Sequence, residues 1–401
     1  MEPSNSQKWL PLAVVSLLLS SSLVALAIRC LLTDEACTRW GPESGANFSY
    51  PLSTTALHLV TVSMTIATIL VLKDIIIKRR KPRLLDQHLL YPKLRLSSLV
   101  GCSFGMNAII AHVALQQTPA AIFEIFHGLH LVFIAVAAWI VLGEAPEALG
   151  EFIALVGIVI GSSIASLGSF FAVDDEGREG GEGETNGNAS GHHFGGLLAF
   201  ALNMIYAILG GIVVATLRWT TLRMDDVGMS ISELTCLKML VGALFVVPVA
   251  LLFEGFVMFQ LSSEQLSLVL ISSALILVYH LSLSLVCYMA PALVVGVVEA
   301  IKPVLAFVVV AMFQRLPSTT ISFYVGAFII LASAVSFKLI RTLYGEGRQF
   351  HRSDSGQHLL AGTNSPATRS QREILGHRLV ESVPLNERIG NDLESDSDGY
   401  G

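Results

Sequence analysis

Two acid–base pairs with the same spacing interrupt an otherwise apolar sequence. Glu124 is followed three residues later by His127, and Glu299 is followed three residues later by Lys302. Residues three apart lie on one face of a helix, so each pair can neutralise itself. The basic members could hold an anion, and the acids could bind a cation or carry a proton. Both pairs could equally be permanent structural partners.

Other polar side chains could join these pairs. His130 lies three residues after His127. Imidazole and carboxylate suit zinc, but two histidines and one glutamate on a single helix rarely converge on one ion, so we expect no metal site. Tyr279 and Tyr288 could stack on a base or a sugar, or could simply pack helices together. Lys238 could line a pocket mouth, but we expect its side chain to snorkel to the membrane interface.

The elements that must position these residues are membrane-spanning helices. Hydrophobic residues make up 53% of the 401 residues and charged residues only 14%, and the mean hydropathy is +0.66, which excludes a soluble domain. About 20 mostly apolar residues cross a bilayer as a helix. Runs of that kind occur at residues 10–28, 54–72, 97–115, 120–142, 152–172, 195–217, 231–253, 266–289, 292–313 and 321–340.

The basic residues predict the orientation of these helices. Eight of them lie between the second and third segments, and the positive-inside rule places that loop in the cytosol. With ten spans, both termini are then cytosolic. Residues 1–9 form the N-terminus, and residues 343–401 form a polar tail that we expect to be disordered. The eight basic residues are Lys73, Lys78, Arg79, Arg80, Lys81, Arg83, Lys93 and Arg95.

The opposite side of the membrane receives residues 29–51 and an acidic, glycine-rich loop at residues 173–194. Each stretch contains a glycosylation sequon, at Asn47 and at Asn188. Cys30 and Cys37 lie in or near the first stretch and could form a disulfide, with two free thiols as the equal alternative. Used sequons would place the protein in the secretory pathway of a eukaryote. We expect a multi-pass protein of the Golgi or the endoplasmic reticulum.

The chain divides into two similar halves, residues 10–172 and 195–342, each with five predicted helices. The acid–base pairs lie in the fourth segment of each half, and a proline-containing turn follows each segment, at Pro146 and at Pro317. Halves with an odd number of helices insert with opposite topology around a central site. The sequence therefore predicts an all-α membrane protein with about ten transmembrane helices in two inverted five-helix repeats.

Residues 95–340 resemble the drug/metabolite transporter superfamily, and within it the branch of triose-phosphate and nucleotide-sugar translocators. The resemblance is best in two stretches. Residues 107–146 read NAIIAHVALQQTPAAIFEIFHGLHLVFIAVAAWIVLGEAP, and residues 290–338 read APALVVGVVEAIKPVLAFVVVAMFQRLPSTTISFYVGAFIILASAVSFK. The resemblance implies ten helices as two inverted repeats and exchange of substrate by alternating access.

The same resemblance implies roles for particular residues. In this branch the fourth and ninth helices each typically carry a basic residue near the pocket, and the fourth ends in a Gly-Glu pair. Lys302 and the pair Gly143-Glu144 match, whereas His127 occupies the place where phosphate-binding members usually have lysine. No FYNN-type or GALNK-type nucleotide-sugar signature occurs. The resemblance therefore bears more on the fold than on the substrate.

We expect a secondary transporter of a small anionic metabolite, such as a nucleotide sugar or a sugar phosphate. The alternatives are a proton-coupled exporter of a neutral or cationic compound and a non-transporting membrane scaffold. An enzyme is not expected because the histidines lie at scattered depths, and no cofactor or nucleic acid is expected; the partners are a small-molecule substrate and the lipid bilayer. The predicted substrate-binding residues are Lys302, Glu299, His127, Glu124, His130, Tyr279 and Tyr288.

Overall fold

The computed structural model describes residues 3–32, 50–79, 87–117, 120–146, 148–178, 189–313 and 321–360. Within these ranges the fold is all-α, with no strand. The α-helices of the described residues are α1 (Pro3–Leu32), α2 (Pro51–Leu72), α3 (Gln87–Gln117), α4 (Ala120–Leu142), α5 (Leu149–Arg178), α6 (Ala189–Arg223), α7 (Ile231–Glu254), α8 (Ser263–Met289), α9 (Ala292–Phe313) and α10 (Ile321–Leu360).

Shorter helical turns extend three of these helices. A π-helical turn at Lys73–Ile77 follows α2, and 3-10 turns at Met224–Val227 and Gly255–Phe259 follow α6 and α7. The chain forms two units, Met1–Thr342 and Leu343–Gly401. The first unit contains every site described below.

Six helical stretches in the described part of the chain are long and apolar enough to cross a membrane. They fit a multi-pass membrane protein. The stretches are Pro51–Ile77, Leu90–Ala114, Phe200–Val227, Ile231–Phe259, Ser263–Met289 and Ile321–Thr342. Shorter apolar helical stretches lie at Trp9–Val24, Leu129–Leu142 and Leu149–Ala165.

The predicted segments agree with the helix bounds to different degrees. Each lies within one helix, and the bounds of α4 and α9 coincide with the fourth and ninth segments. Pro291 lies between α8 and α9, and proline lacks the N–H that a continuing helix needs. The third segment was predicted to end at residue 115, but α3 continues through Gln116 and Gln117. Beyond the predicted ends, α5 continues to Arg178 and α10 to Leu360.

The assignment of Lys93 and Arg95 to a loop is also wrong. Helix α3 begins at Gln87, so both residues are helical, and Lys93 is buried. The apolar window that defined the third segment excluded these charged residues, although the helix itself continues through them.

The distribution of polarity fits a lipid environment. Many large apolar side chains point outward, whereas small hydroxyl side chains fill much of the interior. Lipid solvates the outer apolar surface, so helix association relies on close packing and on polar contacts between helices. The outward apolar residues include Leu244, Phe253, Ile321 and Phe328, and the buried hydroxyl residues include Ser53, Ser97, Thr220, Ser272 and Ser284.

Glycines bring α3 and α7 into close contact. A Cβ atom on Gly101 would lie 2.5 Å from Val241 Cβ, and one on Gly242 would lie 3.2 Å from Phe104 Cδ1. Only the missing side chains allow the two backbones to approach this closely. The close approach places Phe104 of α3 beside the inner face of α7.

Candidate functional site

Five polar side chains from three helices meet in the interior of the helix bundle. Lys238 comes from α7, Tyr279 and His280 come from α8, and Glu299 and Lys302 come from α9. We call these five residues the central polar cluster. The other buried side chains of these helices are mainly apolar or carry small hydroxyl groups.

Glu299, Lys302 and Tyr279 form a closed triangle of contacts. Lys302 Nζ lies 3.3 Å from Glu299 Oε2 and donates to the Tyr279 hydroxyl at 3.4 Å, and that hydroxyl donates to Glu299 Oε1 at 3.2 Å. The ammonium also lies 4.7 Å from the centroid of the Tyr279 ring. As the spacing of three residues predicts, Glu299 and Lys302 face the same side of α9. The charge of Lys302 is therefore compensated within the cluster.

His280 connects this triangle to Lys238. The rings of Tyr279 and His280 are 4.7 Å apart at their centroids, and Lys238 Nζ lies 3.4 Å from His280 Nδ1. Phe104 of α3 covers this part of the cluster, with its ring centroid 5.0 Å from that of His280 and 5.6 Å from Lys238 Nζ. His280 therefore contacts both Lys238 and Tyr279.

The prediction that Lys238 snorkels to the interface is wrong. Its side chain is buried, with 1% of its surface exposed. Helix α7 packs against α2, α3 and α8, so protein surrounds the inner face that carries Lys238. The sequence pattern of α7 alone does not reveal these neighbours.

The central polar cluster carries more positive than negative charge. It contains two ammonium groups and one carboxylate, and Glu299 is the only carboxylate that pairs with either lysine among the described side chains. Charged groups in an apolar interior need a partner of opposite sign. The arrangement is chemically suited to binding an anion.

Residues from α4 and α6 lie next to the cluster. The rings of His130 and Tyr206 are 5.2 Å apart at their centroids, and His130 occupies the space left by the missing side chain of Gly210. Helices α4 and α6 both pack against α9, which carries Glu299 and Lys302. The structure therefore places the predicted residue His130 against Tyr206, on helices that neighbour the cluster.

The remaining predicted residues lie elsewhere or outside the described part. Glu124 and His127 belong to α4, but their side chains are not among those described. Tyr288 lines an apolar cavity of about 380 Å³ between α1 and α8, beside Trp9 and Ser282. Asn47, Asn188 and Cys37 lie outside the described residues, as does the side chain of Cys30. Among the described residues, no three His, Cys, Asp or Glu side chains are grouped in a way that could hold a metal ion.

Sequence reasoning missed a second buried ion pair. Lys93 Nζ of α3 lies 2.8 Å from Glu233 Oε1 of α7, and their side chains are only 1% and 9% exposed. Glu233 Oε2 also accepts a hydrogen bond from the Ser230 amide, and the Ser230 hydroxyl accepts one from the Glu233 amide. This capping box satisfies the first turn of α7. The pair joins the starts of α3 and α7.

A carboxylate with no predicted partner joins four helix ends. Glu144, just after α4, accepts a hydrogen bond from the Ala292 amide at 2.7 Å and pairs with Arg218 Nε at 3.5 Å. Arg218 Nη1 donates to the carbonyls of Cys287 at 2.7 Å and Tyr288 at 2.9 Å. The Gly-Glu pair marked Glu144 in the sequence, but its partners come from α6, α8 and α9.

A similar carboxylate acts at the end of α7. Glu254 accepts hydrogen bonds from the amides of Leu52 at 2.9 Å and Ser53 at 2.6 Å, in the first turn of α2. The first amides of a helix have no partner within that helix, so a carboxylate there is stabilising. No motif in the sequence pointed to this contact.

Two further histidines cross-link helices. His58 Nε2 of α2 lies 2.6 Å from the Ser272 hydroxyl of α8, and His112 Nε2 of α3 lies 2.8 Å from the Thr55 hydroxyl of α2. Each histidine therefore connects two helices through a hydroxyl group. They tie α2, α3 and α8 together around α7.

Comparisons with known proteins inform the fold. No family model and no curated protein matches this sequence. A solved crystal structure of another protein aligns with a TM-score of 0.56 and 17% sequence identity, over 84% of this chain and 99% of that chain. At this level of identity the likeness is one of fold alone.

Proposed function

We propose that the protein is a secondary transporter that moves a small anionic metabolite, such as a nucleotide sugar or a sugar phosphate, by alternating access. The observation that carries the proposal is the positive excess of the central polar cluster, with Lys238 and Lys302 balanced only by Glu299 among the described side chains. Ionisable groups within membrane spans are costly and mark substrate or ion pathways. A cluster with surplus positive charge favours an anionic cargo.

The packing of the helices supports two five-helix repeats. Helix α1 packs against α8 and α9, and its counterpart five helices later, α6, packs against α3 and α4. Helix α2 packs against α7 and α8, and its counterpart α7 packs against α2 and α3. Each of these helix contacts therefore has an equivalent contact between the two helices that occupy the same places in the other half. A pseudo-two-fold axis between two repeats would produce this pattern.

The carboxylates at the helix ends support the inverted orientation of these repeats. Helices α2 and α7 pack together, and Glu254 at the end of α7 binds the first amides of α2. Helices α4 and α9 also pack together, and Glu144 after α4 binds the first amide of α9. In both couples the end of one helix meets the start of its counterpart, so the two helices run antiparallel. Counterparts in inverted repeats have this relation.

The proposed topology has ten spans with both termini in the cytosol, in a Golgi or endoplasmic reticulum membrane. Its support is the basic stretch after α2, where Lys73, Lys78 and Arg79 are exposed. In this topology the Glu144 contacts lie at the cytosolic end of the bundle and the Glu254 contacts at the lumenal end. Glycosylation at Asn47 and Asn188 would follow from the same orientation.

A ligand screen followed by a flux assay tests the proposal. The full chain, purified in detergent, is heated with inorganic phosphate, sugar phosphates, nucleotide sugars and organic cations in turn. We expect an anion of the first three classes to raise the melting temperature, because a ligand that binds only the folded state stabilises it. The same anion should then exchange across proteoliposomes.

The screen also separates the alternatives. If only organic cations stabilise the protein and a proton gradient drives their flux, the protein is a proton-coupled exporter and not an anion carrier. A folded protein that responds to no compound and shows no flux would favour the scaffold.

A further inference from the structure

Lys238 differs from the other two interior lysines, Lys93 and Lys302, because no described carboxylate pairs with it. It lies seven residues after the start of α7, about 10 Å into the helix at 1.5 Å per residue. Its ammonium contacts His280 Nδ1 at 3.4 Å and lies 5.6 Å from the centroid of the Phe104 ring. An ammonium has three N–H donors, and the described side chains accept one of them. Lys93 and Lys302, by contrast, each pair with a glutamate.

The helices around Lys238 contain no carboxylate at its level. Helix α7 packs against α2, α3 and α8, and the sequences of α2 and α3 contain no acidic residue. The acidic residue of α8 is Glu264, in its first turn. The acids of α7 are Glu233, which binds Lys93, and Glu254, which binds the start of α2. None of these helices can therefore compensate the charge of Lys238.

The nearest carboxylate in the cluster is already engaged. Glu299 pairs with Lys302 and accepts a hydrogen bond from Tyr279, so both of its oxygens have partners. A buried ammonium without a carboxylate carries a large desolvation penalty. An anionic ligand removes that penalty by placing its charge at Lys238.

We infer that Lys238, with His280, directly binds the anionic group of the transported metabolite, and that this group is a phosphate or phosphate ester. The inference rests on the proposed function and names the contact within that site. A lysine binds phosphate as a point charge, and the imidazole of His280 offers a second polar contact. Lys302 then serves as a neutralised neighbour paired with Glu299.

If Lys238 binds the ligand, replacing it should not lower the melting temperature of the ligand-free protein, which is unusual for a buried lysine. Replacing an uncompensated buried charge with an apolar side chain of similar size removes the desolvation penalty. Lys238→Met should therefore melt at the same temperature as the wild type or higher when no ligand is present. The matched control is Lys93→Met, which removes a lysine with a carboxylate partner and should melt at a clearly lower temperature.

The experiment measures melting and phosphate binding together. The full chain in detergent is titrated with inorganic phosphate, with a nucleoside monophosphate and with acetate. We expect Lys238→Met to raise the dissociation constant of both phosphate compounds by about tenfold or more, because the variant loses one charge-assisted hydrogen bond to the ligand. Lys238→Gln, which keeps a polar end near His280, should weaken binding to a similar extent. Binding of free phosphate only, or of the ester only, identifies which form the site takes.

Several results would overturn the inference. Unchanged phosphate affinity in Lys238→Met and Lys238→Gln would remove Lys238 from the site while leaving the carrier proposal intact. A melting temperature as low as that of Lys93→Met, or failure to fold, would make Lys238 a structural residue. Acetate binding as tightly as phosphate would remove the phosphate assignment. If the wild type binds no anion in the screen, the proposed function itself fails.

Discussion

The Lys93–Glu233 pair and the central polar cluster both place lysines in the interior beside α7, but the positive charges are compensated differently. Lys93 lies 2.8 Å from Glu233, and the second oxygen of that carboxylate accepts a bond from the Ser230 amide. In the central polar cluster the polar contacts are 3.2–3.4 Å long, and among the described side chains the one carboxylate, Glu299, pairs with Lys302 and not with Lys238.

The difference separates structural charge from charge available to a ligand. A short ion pair whose carboxylate has partners on both oxygens holds two helices in one register, and the charges of the lysine and the glutamate compensate each other. The cluster has longer contacts and surplus positive charge, so a ligand can replace or complete them. Lys302 and Glu299 are also less enclosed, with side chains 24% and 12% exposed.

The largest effect that we predict concerns the structural pair. Lys93→Met leaves the carboxylate of Glu233 buried without its cation, and this should lower the free energy of unfolding by about 3–5 kcal/mol. Denaturant unfolding of the purified protein in detergent measures the change.

A second substitution serves as the control for that prediction. In the double variant Lys93→Met with Glu233→Gln, no charge remains buried and glutamine can still complete the capping box. Most of the lost stability should return. If the single variant is as stable as the wild type, the contrast between the two regions disappears.

A medium effect is expected at the helix-end carboxylates. Glu144→Ala removes the acceptor of the Ala292 amide and the partner of Arg218, and should cost about 2 kcal/mol of unfolding free energy. Glu254→Ala removes the acceptor of two amides in α2 and should cost a similar amount. Unfolding in detergent tests both variants side by side. A cost near zero for both would mean that these contacts do not hold the helix couples together.

The smallest effect is predicted within the cluster. Tyr279→Phe removes a hydroxyl that donates to Glu299 and accepts from Lys302, and should cost about 1 kcal/mol of stability. Thermal unfolding with and without the stabilising anion measures it. If this variant loses as much stability as Lys93→Met, the cluster is a rigid structural network and the contrast is wrong.

The sequence predicted the helices better than their contacts. The bounds of α4 and α9 could be predicted because apolar runs end at proline-containing or polar turns, and the shared face of Glu299 and Lys302 follows from helical periodicity. The start of α3 was missed because charged Lys93 did not fit an apolar window. Its partner Glu233 lies 140 residues away, so the pair exists only in the folded chain.

The misplacement of Lys238 has the same cause. Within the sequence of α7 a lysine in the second turn resembles an interfacial anchor, because nothing local shows which faces are covered. Packing of α2, α3 and α8 around α7 makes that position interior. Contacts at helix ends, such as Glu254 with the start of α2, depend on the bundle in the same way.

Counterflow of labelled anions into proteoliposomes tests most directly the claim that the protein carries an anion. The assay compares the wild type with Lys302→Gln, Glu299→Gln and the surface control Lys78→Gln. Lys302→Gln leaves Glu299 uncompensated and repelling an incoming anion, so we predict that it abolishes flux of the anion found in the screen. Lys78→Gln, which changes an exposed lysine, should transport like the wild type. The account is contradicted if Lys302→Gln leaves uptake of every anionic candidate unchanged while Glu299→Gln abolishes proton-linked flux.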